Sequence, residues 1–158
     1  MFPDGLKFRS DIPGIFSLGV EYSVMPQLRV MISYHLFFDK SADWEGAEEL
    51  VDSNTYDIAF GLEYDITETF LVSAGYLHTS ISLSDDYLGD MSYELSSNAF
   101  GVGARYTFNQ NFTVDAGFLT VSYSDASKNI DFGIPFGSFQ ETYKKTSTVF
   151  SIGLGYHF

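Results

Sequence analysis

The chain has no cysteine among its 158 residues, which excludes a disulfide framework and a thiolate metal site. No run of 18 apolar residues occurs, which excludes a membrane-spanning helix. Cations are scarce: eight Lys and Arg stand against 21 Asp and Glu, for a net charge of −13. That balance argues against nucleic acid as a partner and against charge-driven attachment to anionic lipid. Met1-Phe2-Pro3-Asp4-Gly5 has neither a basic nor an apolar stretch, so no export signal is legible there. What the chain has instead is aromatic side chains, 18% of residues, in a sequence whose mean hydropathy is close to zero.

The last eleven residues show how those aromatics are used. Phe150, Ile152, Leu154, Tyr156 and Phe158 fall on one face of a period-two pattern; Ser151, Gly153, Gly155 and His157 fall on the other. An apolar face opposite a small or polar one, ending on a C-terminal Phe, is the pattern of an outer-membrane barrel strand with lipid outside and a polar lumen inside. Tyr156 and Phe158 are then expected to be the signal read by the barrel-assembly machinery, with lipid anchoring as the plainer role. Such a chain needs export, so numbering from Met1 predicts a fragment of a longer precursor.

The alternation recurs upstream over about 14–22, 28–38, 55–64, 70–82, 97–108 and 112–123, giving seven strands with the terminal one. Phe16, Leu18, Val20 and Tyr22 face outward in the first, with Ser17, Gly19 and Glu21 inward. The second places Ile32 and Tyr34 outward and Arg29, Met31, Ser33, His35 and Phe37 inward. Short connections at 23–27, 65–69 and 109–111 alternate with long ones at 39–54, 83–95 and 124–146, as periplasmic turns alternate with extracellular loops in such barrels. A Gly-x-[Glu/Arg/Gly]-Tyr repeat starts at Gly19, Gly61, Gly103 and Gly153, with steps of 42, 42 and 50 residues. Propeller blades would need four short strands in that length, where the sequence has two long ones. Bacterial single-chain barrels are closed and even-stranded, so seven strands read as part of a barrel.

Asp11-Ile12-Pro13-Gly14-Ile15-Phe16-Ser17-Leu18-Gly19, Trp44 after the second strand, Phe60-Gly61-Leu62-Glu63-Tyr64 with Ser73-Ala74-Gly75-Tyr76, and Gly103-Ala104-Arg105-Tyr106-Thr107-Phe108 resemble the FadL/TodX family of outer-membrane transporters for hydrophobic compounds. The resemblance implies a transmembrane antiparallel β-barrel of fourteen strands, of which this chain is a single partial domain over 1–158 holding strands eight to fourteen. The N-terminal hatch and first strands would lie upstream. It also implies passive transport of long-chain fatty acids or aromatic hydrocarbons, with no enzymatic activity and no cofactor.

Ligand contacts are sought on the inner face. Met31, Phe37, Leu77 and Leu119 are apolar where a lumen is usually polar, which suits a greasy substrate. Arg29, His35 and Arg105 are candidates for a carboxylate, Arg best because its fork is bidentate. The competing reading is lumenal packing, with Arg105 paired to Glu63 or Asp115 and Arg29 to Glu21. His35 and His157 point inward at opposite ends and His78 outward, so no shared metal is expected, and no Ser/His/Asp set is legible at one level. Asp39, Asp43, Glu45, Glu48, Glu49 and Asp52 crowd the first long loop beside Lys40, and Asp85, Asp86 and Asp90 occupy the second. They read as solvated charge, with Ca²⁺ or Mg²⁺ as the sharper alternative; a helical turn is expected over 47–51. Expected partners are hydrophobic small molecules, outer-membrane lipids, lipopolysaccharide and the assembly machinery. The rival functions are a small structural or adhesion barrel of the OmpX/OmpW kind, whose filled lumen the inward Gly19, Gly61, Gly75, Gly101, Gly103 and Gly117 argue against, and a non-selective porin.

Overall fold

The computed structural model describes residues 9–84, 86–87, 94–109, 111–131, 133, 137–156 and 158. Seven strands form one antiparallel sheet: β1 (Ile15–Met25), β2 (Leu28–Phe37), β3 (Val51–Thr67), β4 (Phe70–Leu83), β5 (Ser97–Thr107), β6 (Phe112–Tyr123) and β9 (Thr146–Tyr156), in the order β1-β2-β3-β4-β5-β6-β9. Each strand pairs with its predecessor, so the sheet is a meander with β1 and β9 at its edges. Its shortest strand has ten residues. At about 3.3 Å per residue and a tilt near 40°, ten residues cross about 25 Å, the height of an outer-membrane apolar band.

Two differences from the sequence reading concern the long loops. The connection 124–146 contains a second sheet, the hairpin β7 (Ala126–Asp131) and β8 (Ser138–Tyr143). Ser127, Asn129 and Asp131 oppose Thr142, Gln140 and Ser138, so one face is wholly polar. The other mixes Ala126, Lys128 and Ile130 with Tyr143, Glu141 and Phe139, so the apolar row that betrays a lipid-facing strand is missing. β3 also begins at Val51, earlier than expected, through irregular pairing at Val51, Ser53 and Tyr56. The turn expected at 47–51 is present as a 3₁₀ turn, Ala47–Leu50.

The sheet has almost no interior of its own. Buried apolar residues among those described are Ala42, Val51, Leu95 and Ala99, three of them at the long-loop end. Phe150, Ile152 and Leu154 are 77%, 83% and 84% exposed. An apolar face this open has no protein to cover it within the chain, and lipid supplies the missing solvent.

The Gly-x-x-Tyr repeat reports the sheet's stagger. Gly19 is in register with Ser33 and, through it, Ala59; Gly61 lies two residues further along β3. Gly75 pairs with Gly101, and Gly103 lies two further along β5; Gly117 pairs with Ser151, and Gly153 lies two further along β9. The motif thus slips one residue per strand. With about 3.3 Å along a strand and 4.8 Å between strands, that slip tilts the strands by about 35°, within the range of closed barrels. The motif therefore marks one height, and its Tyr64, Tyr106 and Tyr156 form an outward row near the short turns.

Candidate functional site

Register carries the inner face across the strands in rows. Met31, Gly61, Gly75, Gly101, Leu119 and Val149 form one row. Ser33, Ala59, Leu77, Ala99, Val121 and Ser147 form the next, towards the long loops. Their β2 to β6 members floor a concave pocket of about 830 Å³, whose wall continues to Glu21, Ser97 and Tyr123. Glycines make the room: a Cβ on Gly61 would lie 3.6 Å from Met31, and one on Gly101 3.6 Å from Leu119 Cδ1. A shallower pocket of about 420 Å³, walled by Gly103, Gly117 and Ser151, continues towards the short turns. Of the residues singled out from the sequence, Met31, Leu77 and Leu119 meet here.

Glu21 lines the larger pocket too, across from Met31, while the paired charges gather towards the short turns. Arg29 Nη2 lies 2.9 Å from Glu63 Oε2, and Arg29 Nη1 lies 3.3 Å from Asp65. Arg105 donates from Nε to Asp115 Oδ1 at 2.6 Å. The partner of Arg29 is thus not the expected Glu21; Glu63 and Asp65 sit directly and diagonally across β2–β3 and take both arms of the fork. Allowing for the one-residue slip per strand, Glu21, Glu63 and Arg105 share one height, with Arg29 and Asp115 within one residue of it. Arg105 does not line the larger pocket.

His35 and Phe37 lie near the long-loop end of β2, outside the pocket wall. Phe37 pairs with Ile15 at the last position of the β1–β2 ladder. The structure corrects one expectation: Ser17, His35 and Asp57 do share one level, because β1, β2 and β3 place them in a single registered row. Ser17 Oγ is 2.9 Å from His35 Nδ1, and Asp57 Oδ1 is buried without a hydrogen-bond partner. The sequence hid this because register between strands, not spacing within them, brings the three together. No hydrogen bond joins the ring to Asp57 among the described residues, so the three do not form a connected proton relay.

His78 faces outward, its Nδ1 3.0 Å from Asn98 Oδ1, which also accepts from Tyr76 Oη at 2.6 Å. Tyr56 lies between Tyr34 and His78, with ring centroids 6.3 and 6.1 Å away. Near the short turns Tyr156 packs on Phe112 at 4.7 Å and on Phe158 at 6.4 Å, and Phe158 is fully exposed. These two clusters are aromatic girdles at the two interfaces. His157, Asp85 and Asp90 lie outside the described residues.

The acidic first loop is an internally bonded cap. Trp44 Nε1 donates to Asp11 O at 2.7 Å, and Arg9 bridges Asp11 and Asp43 at 3.1 Å each. The hydrogen bond from Arg9 holds the Asp11 carboxyl below its usual range. Glu48 accepts from Trp44 N and Gly46 N, and backbone donors hold its carboxyl low as well. Asp39 is buried and accepts from Thr55 N. Asp11, Asp39, Asp43, Glu45 and Glu48 are engaged by backbone donors or by Arg9, and no group of three metal-ligating side chains is assembled among the described residues.

The profile of the autotransporter β-domain family matches residues 37–158, most of the chain. The 47 kDa outer membrane protein of Pasteurella multocida (strain Pm70) is 30% identical over 113 residues, which cover 70% of this chain and 24% of that protein. The chain thus spans about a quarter of that relative's length. The autotransporter match overturns the FadL/TodX resemblance. The segments that suggested it are alternating strands with glycines on the crowded inner face, a physical requirement that barrels of different families share. The fourteen-strand count and the hatch rested on that resemblance alone. With lipid-facing strands, interfacial girdles and this match together, the chain is an outer-membrane β-barrel protein of bacteria and belongs to the autotransporter β-domain family.

Proposed function

We propose that the parent barrel passes hydrophobic compounds across the outer membrane by diffusion. One observation carries this reading: the pocket of about 830 Å³ is walled by Met31, Ala59, Leu77, Ala99, Leu119 and Val121, where a general pore would present charge. Leu77 and Leu119 are half-exposed on the inner side, so their apolar surface is open to a ligand. Glu21 is the one charged residue of the pocket wall, beside Met31; the ion pairs of Arg29 and Arg105 lie outside that wall. Apolar walls favour entry of an apolar solute without holding it by specific bonds, as passage without an energy source requires.

The test compares two cargoes on the full-length protein. Cells carrying it should take up a labelled hydrocarbon faster than cells lacking it, and liposomes containing it should swell slowly in sugars. Leu119→Asp should reduce hydrocarbon uptake several-fold without loss of the folded barrel. Fast sugar swelling with no gain in hydrocarbon uptake would establish a porin and refute the reading.

A further inference from the structure

The row that floors the pocket begins on β1 with a charge that plain hydrophobic passage does not use. Glu21 is in register with Met31 and, through it, with Gly61, Gly75, Gly101 and Leu119. It is the one charged residue in the wall of the pocket of about 830 Å³. The inner face around it carries little bulk. Gly19 is the next inner residue along β1, and Gly61 and Gly75 follow Met31 in the row. A Cβ at Gly19 would find its nearest atoms at 3.9 and 4.0 Å, so the space beside the Glu21 carboxylate is open cavity.

The cations that could neutralise Glu21 are engaged elsewhere. Arg29 stands diagonally across from it, opposite Ser23, but gives one arm of its fork to Glu63 at 2.9 Å and the other to Asp65 at 3.3 Å. Arg105, at the height of Glu21, is held by Asp115 at 2.6 Å. The carboxylates of Glu21, Glu63, Asp65 and Asp115 outnumber these two guanidiniums, so this part of the inner face is net negative. Lys145 rests over the Tyr123 ring, 4.6 Å from its centroid. It lies nearer the long loops and six strands across from Glu21, about 29 Å along the sheet. Glu21 itself makes no hydrogen bond or ion pair among the described residues.

We infer that Glu21 receives the ammonium group of an organic cation whose apolar body lies against Met31 and Ala59 and over Gly61. The inference rests on the transport reading and deepens it, because it selects protonated amines from hydrophobic compounds at large. An ammonium brings both the opposite charge and the donors that the carboxylate lone pairs accept. The apolar body displaces water from beside the carboxylate, and in those surroundings a single charge acts more strongly than in bulk solvent. An alcohol of the same shape brings a donor without the charge. A carboxylate of the same shape is repelled by Glu21 and by the net negative charge around it.

The test uses the full-length protein in nanodiscs of zwitterionic lipid, titrated calorimetrically with adamantylammonium, adamantanol and adamantanecarboxylate, which share one apolar cage and differ in head. The unaltered protein should bind the ammonium probe tightest. Glu21→Gln should weaken that probe about fivefold, as loss of an exposed charge-assisted hydrogen bond does, and leave adamantanol within about twofold. Glu21→Asp keeps the charge and should keep the preference for the ammonium probe. No such preference in the unaltered protein, equal weakening of the ammonium and the alcohol by Glu21→Gln, no weakening of either, or a preference lost alike in Glu21→Gln and Glu21→Asp would each overturn the role of Glu21 and leave hydrophobic passage standing. Binding of none of the three probes by the unaltered protein would overturn the transport reading, and this inference with it.

Discussion

Ile32 offers the most direct test of which face of the sheet meets lipid. It is the fifth of ten residues in β2, it points outward between Val20 and Phe60, and it is 56% exposed. Placing Arg there puts a guanidinium near the bilayer midplane, at a cost of about 2–4 kcal/mol in an outer-membrane barrel. Leu36 lies on the same face four residues nearer the long loops. At about 3.3 Å per residue and a 35° tilt it sits about 11 Å higher, close to the interface. The same substitution there should cost about 0–1 kcal/mol. Ser33, next in sequence to Ile32 but on the inner face, should tolerate Arg with little loss, because its side chain meets the lumen. Equilibrium unfolding of the full-length protein in lipid vesicles, followed by heat-modifiable gel migration, measures all three. Ile32→Arg should lower the folded-to-unfolded ratio about a hundredfold, since each 1.4 kcal/mol is a factor of ten. Equal losses for Ile32→Arg and Ser33→Arg would refute the assignment of faces, and with it the inner pocket.

Two further outcomes follow from the ends of the sheet. Deleting Phe158, exposed and stacked near Tyr156, should lower outer-membrane insertion of the full-length protein; an unchanged insertion yield would remove its role as an assembly signal. The cap over the first long loop should weaken in acid. Asp11 and Glu48 are held below their ordinary values of 3.8 and 4.5, by Arg9 and by backbone donors respectively. Groups with depressed folded values stabilise the cap above their ordinary values and lose that contribution as pH falls through the folded ones. Both sites are solvent-facing, so the effect should be small and weaker still in salt. Hydrogen exchange at the Asp11 and Gly46 amides, corrected for intrinsic rates, should gain speed between about pH 5 and pH 3 and hold steady between about pH 8 and pH 6. Constant protection down to about pH 3 would show that the carboxylates do not hold the cap.

The sequence by itself determined the class, the compartment and the faces of the strands. Alternation in Phe150-Ser151-Ile152-Gly153-Leu154 is a local property: the pleat sends neighbouring side chains to opposite sides whatever the strand pairs with. β4 and β6 were legible to within a residue because lipid demands an unbroken apolar row, and β7 and β8 were missed because they carry no such row. The family was not legible, because the glycines and tyrosines that suggested it answer to crowding and to the interface in any barrel. Tertiary structure alone decided what stands beside what. Which carboxylate holds Arg29, how Ser17, His35 and Asp57 reach one row, and how Lys145 comes to rest on Tyr123 all depend on register between strands. A slip of one residue would send every one of those side chains to the opposite face. Register is fixed by the summed pairing of whole strands, a quantity that no single stretch of sequence contains.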